Sequence, residues 1–143
     1  MSMRSAQFKI VKGELLQFAV MENELTEERS NLMNRFGVKF QFNSISRILR
    51  CVAEITFSYG DKVIAKASNG FYFALSEETV ADLRLEQNIS VPQQLLAYFA
   101  SLTFGALRGM CVIKAGENGI NLPVVPPVNL NDIITEPGIF PID

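Results

Sequence analysis

The stretch SVPQQLLAYFASLTFGALRGMCVIKAGENGINLPVVPPVNLND, from Ser90 to Asp132, joins the longest helical pattern of the chain to an apolar loop rich in proline. Ser90 and Gln93 have the spacing of an S-x-x-Q capping box, and a proline such as Pro92 is tolerated in the first turn of a helix. Apolar side chains then recur at steps of three and four residues, at Leu95, Tyr98, Phe99, Leu102, Ala106, Met110 and Ile113. The pattern predicts a long helix whose broad apolar stripe needs a partner surface.

The other side of this helix is also almost free of charge, because Arg108 is the only charged residue between Pro92 and Cys111. A helix that is apolar nearly all round is normally buried on two sides. Gly105 and Gly109, four residues apart, would let a second backbone approach closely, although each lowers helix stability by about 1 kcal/mol. We predict a subunit interface on this side, with burial under the chain's own sheet and loops as the alternative. The predicted interface residues are Leu96, Ala100, Thr103, Gly105, Leu107 and Gly109.

Upstream of this stretch the periodicity changes from that of helices to that of strands. Residues 36–43 alternate most cleanly, with Phe36, Val38, Phe40 and Phe42 on one face. A second alternating run over residues 49–59 ends at Gly60-Asp61, a two-residue hairpin signal, and the next strand follows over residues 62–75. With the imperfect alternation of residues 7–20, these runs predict an α+β fold, in which a four-stranded antiparallel meander packs with one long helix in the C-terminal half.

The remaining segments are predicted to connect these elements. Residues 22–31 carry four glutamates and no aromatic side chain, which is typical of a solvated loop. Residues 76–88 are charged and predict a crossover with one or two helical turns. The prolines between residues 120 and 129 keep that segment extended, and Asn129 is a candidate cap for a short final helix that Pro137 would end.

Length and composition indicate a single domain over residues 1–143, large enough to form a hydrophobic core. The net charge is −2 and no run of lysine and arginine is present, so we expect no binding to nucleic acid. Cys51 and Cys111 have apolar neighbours and no metal-ligand spacing, and we interpret them as buried free thiols of a cytoplasmic protein. No apolar run has the length or continuity of a membrane span, and Met1–Lys9 lacks the apolar region of a signal peptide.

The search for catalytic groups is mostly negative. The sequence contains no histidine, which removes the commonest general base and metal ligand. It also lacks the glycine-rich phosphate-binding motifs and the nucleophile elbow. The carboxylate pairs Glu27-Glu28 and Glu77-Glu78 lie in charged segments, where burial is not expected to tune a pKa for acid–base chemistry. We therefore expect no enzyme activity, no cofactor and no bound metal.

Aromatic and branched side chains on the predicted sheet and in the proline-rich loop are typical of a hydrophobic binding surface. Side chains in the middle of strands are interpreted as core, whereas those near strand ends or in the loop are harder to bury within one subunit. The candidate peptide-binding residues are Phe36, Tyr72, Leu122, Val124, Val125, Leu130 and Ile134. Two alternatives remain open: a cavity for a small apolar ligand, and an oligomer that uses all its apolar surface between subunits.

The order of these elements, together with several short motifs, resembles the SecB family of export chaperones. The triplet Pro127–Asn129 (PVN), followed by an apolar residue and Asp132, is similar to the signature that joins the family's long helix to its final one. Asn69–Phe71 (NGF) and Val38–Phe40 (VKF) fall where the family has a glycine-rich turn and an aromatic-led second strand. The resemblance covers residues 6–134.

The resemblance implies an ATP-independent holdase that binds unfolded or non-native polypeptide in hydrophobic grooves. It also implies a homotetramer, a dimer of dimers assembled through the long helices. Phe36 would correspond to the aromatic residue of the groove, and Leu130 and Ile134 to the apolar positions that follow the asparagine signature.

Two departures from the family bear on the partners of this protein. The family's longer final helix is interrupted here, because Pro137 and Pro141 stop a helix. The family's acidic docking surface for the SecA motor would here contain Ala65 and Lys66, which argues against coupling to SecA. SecB-like proteins also act as dedicated chaperones of antitoxins, so a role in protein export and a single client such as an antitoxin both remain open.

Overall fold

A four-stranded antiparallel sheet forms the main layer of the protein. The computed structural model describes residues 6–21, 33–120, 122, 125 and 127–142. Within them, the sheet consists of β1 (Phe8–Val20), β2 (Met33–Asn43), β3 (Ile48–Tyr59) and β4 (Lys62–Leu75). The spatial order is β1-β4-β3-β2, so β1 pairs with β4 and not with its neighbour in sequence. The four predicted antiparallel strands are confirmed, but the predicted meander order is wrong, because β1 pairs with β4 instead of β2. Strands β1 and β2 therefore form the two edges of the sheet.

The two hairpins of the sheet follow from local turn chemistry. Gly60 adopts a positive φ of 54°, and Tyr59 pairs with Lys62, as the two-residue signal predicts. In the β2–β3 turn, the Asn43 side-chain oxygen accepts hydrogen bonds from the backbone N–H groups of Ile45 and Ser46, each at 3.0 Å. These contacts replace ladder hydrogen bonds where the chain reverses direction.

A second, smaller sheet follows β4. The crossover contains helix α1 (Glu77–Leu83), which supplies the expected helical turns, and the strands β5 (Arg84–Leu85) and β6 (Asn88–Val91). Strand β7 (Gly138–Pro141) pairs with β6, which gives the order β5-β6-β7. The predicted capping box is wrong, because Ser90 lies in β6 opposite Ile139, and helix α2 (Gln93–Glu117) starts after Pro92 without a side-chain cap.

Helix α2 lies across one face of the main sheet. Its buried residues are Leu96, Phe99, Ala100, Thr103, Phe104, Leu107, Cys111 and Ala115. Phe99 stacks on Phe73 of β4 with ring centroids 4.2 Å apart, and its ring also meets Phe8 edge to face. These contacts place the buried row of α2 against the inner face of the sheet.

This packing corrects the predicted roles of the two sides of the helix. Four of the six predicted interface residues, Leu96, Ala100, Thr103 and Leu107, are buried in the chain's own core and present no surface to another subunit. Gly105 and Gly109 lie on the exposed side, where a Cβ atom would meet nothing within 4 Å. Of the apolar stripe predicted from the sequence, Phe99 faces the sheet and Leu95 and Leu102 pack against the core, whereas Tyr98 and Ile113 point outward. Both rows are apolar, so hydrophobic periodicity alone did not distinguish them.

Helix α2 also has the length and composition of a membrane span, with a mean hydropathy of 1.5 over its most apolar window. A helix in the core of a folded domain has the same properties, so this is weak support for a span. The sheet contacts of Phe99 and Thr103 account for the apolar character of the buried row.

Candidate functional site

The inner face of β2 carries a row of apolar side chains that are only partly buried. We call this row the β2 strip, and it consists of Phe36, Val38, Phe40 and Phe42. Strand β2 pairs with β3 on one side, and no other described strand pairs with its outer edge. The strip therefore combines apolar side chains with backbone N–H and C=O groups on an open edge, the two features that bind an extended polypeptide by strand addition.

Aromatic contacts hold the two ends of the β2 strip. Phe36 packs edge to face on Phe104 of α2, with ring centroids 6.0 Å apart. At the other end, the rings of Phe42 and Phe140 of β7 lie 6.2 Å apart. The middle of the strip, Val38 and Phe40, packs against the core cluster and remains partly accessible.

The proline-rich loop is fastened to helix α2. Arg108 donates a hydrogen bond from Nε to the carbonyl oxygen of Val125 at 3.0 Å. Asn129 caps the short helix α3 (Leu130–Ile133), since its side-chain oxygen accepts from the Asn131 backbone N–H at 3.2 Å. The predicted cap and short final helix are thus present.

The structure separates the predicted peptide-binding residues into several groups. Leu130 and Ile134 are each 7% exposed and Val125 is 4% exposed, which corrects their prediction as free binding residues, because they form part of the core. Phe36 and Leu122 are partly buried against that core. Val124 lies outside the described residues.

Tyr72 is also corrected, because it lies on the opposite face of the sheet. Alternation along β4 places Phe73 toward α2 and Tyr72 away from it. The Tyr72 hydroxyl donates a hydrogen bond to Glu14 Oε1 at 2.8 Å, and the Arg50 guanidinium lies 5.5 Å from the centroid of its ring. Tyr72 is therefore part of a polar cluster and not of the β2 strip.

The outward side of α2 is a second apolar surface. We call it the outer helix face, and its clearest members are Tyr98, Gly105, Gly109, Val112 and Ile113. Val112 is 61% exposed and Ile113 is 63% exposed, and no element of the described chain covers them. A contiguous exposed apolar helix face is typical of a surface that associates with another protein.

Reactive groups are scarce in the part of the chain that the structure describes. Burial raises the pKa of Cys51 to about 11, opposed by a hydrogen bond with Thr103, and it raises the pKa of Cys111 to about 11 as well. Both thiols are free and buried, as predicted, and stay protonated at neutral pH. The described residues contain no group of histidine, cysteine or carboxylate side chains arranged to hold a metal ion.

Comparison with solved structures identifies the architecture. The structure matches that of the Mycobacterium tuberculosis Rv1957 SecB-like chaperone in complex with a ChAD peptide from the Rv1956 HigA1 antitoxin, with a TM-score of 0.59. The match covers 85% of this chain and 88% of that chain, at 11% sequence identity. The chain has a SecB-like fold. No family model and no curated protein sequence matches this SecB-like chain, so the likeness lies in the arrangement of its strands and its long helix.

Sequence reasoning missed several residues of these surfaces. Phe104 and Phe140, which pack on the two ends of the β2 strip, were not predicted as site residues, although both are aromatic and close to predicted turns or glycines. Val112 was also missed. Its position beside Ile113 in a helix with few charges was the available signal.

Proposed function

We propose that this protein is an ATP-independent molecular chaperone that binds non-native polypeptide. The β2 strip on an open sheet edge is the observation that carries the proposal, because it offers apolar side chains and unpaired backbone groups together. The SecB-like fold supports it, since the matched Rv1957 chaperone is in complex with a peptide. Apolar burial is not directional, so such a surface accepts many sequences.

The proposed binding mode is strand addition at β2. A client segment in an extended conformation would pair with the outer edge of β2 and bury alternate side chains against Val38 and Phe40. Client binding by burial and main-chain hydrogen bonds consumes no nucleotide, in agreement with the lack of nucleotide-binding motifs. The same reasoning makes the protein a binding protein and not an enzyme, without a cofactor.

Self-association through the outer helix face is the second part of the proposal. Val112 and Ile113 are exposed in the single chain, and Gly105 and Gly109 leave room for the close approach of a second helix. A homo-oligomer such as a dimer of dimers would remove this apolar face from water. Gly105 and Gly109 of the predicted interface belong to this face, whereas the buried Leu96, Ala100, Thr103 and Leu107 do not. The expectation of an oligomer is kept.

Two forms of the chaperone function differ in the client. A dedicated chaperone of one client, such as an antitoxin, is favoured by the antitoxin peptide in the matched complex. A role in protein export through SecA has less support, because Lys66 lies on the sheet surface where the family has carboxylates. Both forms place the protein in the cytoplasm. A small apolar ligand in place of a polypeptide remains the alternative function.

The test is binding of a permanently unfolded protein, carboxymethylated α-lactalbumin, measured by light scattering and fluorescence anisotropy. We expect the mass to rise with the unfolded client and not with native α-lactalbumin. Phe40→Asp and the milder Phe40→Ser should weaken binding about tenfold or more, since each removes apolar contact from the β2 strip. Ile45→Asp is the matched control, because Ile45 is apolar and 90% exposed in the β2–β3 turn.

The proposal fails if the unfolded client does not bind, or if Ile45→Asp weakens binding as much as Phe40→Ser. Thermal melting of each variant separates loss of binding from loss of folding. A co-purified apolar molecule in a protein that ignores the client would favour the small-ligand function.

A further inference from the structure

The face of the main sheet that points away from α2 carries more positive than negative charge. The core lies on the inner face of the sheet, where side chains come from helices α1, α2 and α3 and from strands β6 and β7. No described element packs on the outer face of the sheet, which we call the open face. Residues that are directly opposite in an antiparallel pair point to the same face, so the strand registers assign its members.

The registers place six basic side chains on the open face. They are Lys9, Lys12, Arg35, Lys39, Arg50 and Lys66. The acidic side chains there are Glu14 and Glu54, so six positive and two negative charges give a net charge of +4. The whole chain has a net charge of −2, with 13 basic and 15 acidic residues. The fold therefore gathers positive charge on one surface of an acidic protein.

The positive charges lie mainly at the margins of the open face. Lys9 and Lys12 are on the edge strand β1, and Arg35 and Lys39 are on the edge strand β2. Between these two edges, Val52 of β3 is partly exposed. Arg50, Glu54 and Lys66 of the two central strands are charged as well, so both the margins and the centre of the open face carry charge.

Three charged side chains of the open face, Lys12, Glu14 and Arg50, lie close together and compensate one another in part. Glu14 Oε2 lies 3.3 Å from Lys12 Nζ, and Glu14 Oε1 lies 3.7 Å from an Arg50 guanidinium nitrogen. The hydrogen bond from the Tyr72 hydroxyl, followed by the Lys12 interactions, lowers the pKa of Glu14 and keeps the carboxylate charged, although partial desolvation opposes this. Arg35 and Lys39 on the edge strand β2 and Lys66 on the central strand β4 remain to interact with a partner.

A depression in the open face adjoins the cluster of Glu14, Arg50 and Tyr72. It has a volume of about 360 Å³ and is lined in part by Gln41, Asn43, Ser46, Arg50 and Tyr72. Phe42 and Ile48 complete the lining. Since Tyr72 and Arg50 already interact with Glu14, the donors that suit a partner's carboxylate group are the Gln41 and Asn43 amides and the Ser46 hydroxyl. Its size suits one acidic side chain of a docked partner.

We propose that the open face docks an acidic segment of a partner protein, in addition to any client bound on the inner side of β2. A protein partner fits better than nucleic acid, because Glu14 and Glu54 would repel a continuous phosphate backbone, whereas a polypeptide places its carboxylates only at selected positions. The proposal is independent of chaperone activity, since the two surfaces lie on opposite sides of the sheet.

The test uses a fluorescein-labelled peptide of alternating glutamate and valine with the full-length protein. We expect saturable binding that weakens as salt concentration rises. The double variant Lys39→Glu/Lys66→Glu should weaken binding about tenfold or more, because two attractive contacts become repulsive. The control Arg84→Glu/Lys114→Glu makes the same change in net charge away from the open face and should change affinity by less than about twofold.

Three results would overturn the proposal. One is absence of peptide binding to the wild-type protein. Another is an equal loss of affinity in the two double variants, which would mean attraction by net charge alone. The third is tighter binding of a DNA duplex or of phosphatidylserine vesicles than of the peptide, with the same sensitivity to Lys39→Glu/Lys66→Glu, which would assign the face to phosphate-bearing partners. Binding of unfolded α-lactalbumin should be unchanged in the control Arg84→Glu/Lys114→Glu, since neither residue belongs to β2.

Discussion

Asn69 of β4 and Thr103 of α2 join the sheet to the helix through a buried hydrogen bond. The Asn69 side-chain nitrogen Nδ2 donates to the Thr103 carbonyl oxygen at 3.0 Å, and both residues are fully buried. The Thr103 hydroxyl donates in turn to the Phe99 carbonyl oxygen at 2.8 Å. Asn69 Oδ1 has no hydrogen-bond donor among the described residues. This contact sets the position of α2 along β4 and selects the helix side that faces the sheet.

Asn69→Asp should destabilise the protein by about 3 kcal/mol or more at neutral pH, because it places an unpaired carboxylate against a carbonyl oxygen. The pKa of the new carboxyl group would be raised by burial. The lost stability should therefore return as the pH falls below that raised pKa, when a protonated carboxyl can donate to Thr103. Urea denaturation at several pH values measures this. Asn69→Ala is the control, and it should cost about 1–3 kcal/mol with no such pH dependence.

Gly105→Ala should stabilise the folded chain by about 1 kcal/mol, because alanine is the better helix former and its Cβ meets nothing within 4 Å. Urea denaturation of both proteins at equal concentration tests the prediction. The solution mass, measured in parallel, tests the second helix proposed above, because a Cβ atom at Gly105 that meets a closely packed partner backbone should lower the mass. A destabilised variant with an unchanged mass would contradict the prediction.

Ile113→Glu should lower the solution mass of the protein without unfolding it, since Ile113 is exposed in the single chain and belongs to the proposed association surface. Light scattering gives the mass, and circular dichroism monitors folding. Ile45→Glu is the control for an exposed isoleucine outside the outer helix face. An unchanged mass for Ile113→Glu would exclude this face from assembly.

Leu130→Ala should cost about 2–4 kcal/mol of stability, because the side chain is buried in the core beside the proline-rich loop. Ile133→Ala, in the same short helix, changes an exposed side chain and should cost less than about 1 kcal/mol. Equal costs in thermal or urea unfolding would mean that α3 is not held by Leu130.

The two thiols should react slowly with a thiol reagent in the native protein. With a pKa of about 11 for both Cys51 and Cys111, the thiolate fraction at pH 8 is on the order of 0.1%. Reaction should accelerate strongly in urea. A rapid native reaction at either cysteine would contradict the burial of that side chain.

The raised thiol pKa values also predict alkaline destabilisation. Burial keeps the thiols neutral in the folded state, so their contribution is complete below the ordinary value of 9.0 and is lost as the pH rises toward about 11. The double variant Cys51→Ala/Cys111→Ala should show a smaller loss of stability over this range than the wild-type protein does.

Local patterns predicted the strands and the helix well, and the surfaces less well. The alternation of Phe36 to Phe42 and the Gly60-Asp61 turn are confirmed in β2 and the β3–β4 hairpin. The capping box at Ser90 was wrong because β7, far away in the chain, draws Ser90 into a sheet. For the candidate site, Phe36 was predicted to bind peptide and is partly buried, so its binding role stays a prediction, whereas Leu130 and Ile134 were assigned to the surface and are core.

The sequence by itself determined the four strands of the main sheet and the long helix, because strand and helix periodicity is a property of neighbouring residues and of their backbone geometry. The second sheet, β5-β6-β7, was not predicted, since β7 pairs with β6 from far away in the chain. The tertiary structure decided three further features: the side of α2 that is buried, the place of β1 beside β4, and the gathering of basic residues from Lys9 to Lys66 on one face. Each depends on contacts between residues far apart in the chain. Which packing forms depends on the difference in free energy between the alternatives, such as burial of one or the other side of α2. Both sides are apolar, so local periodicity does not reveal that difference.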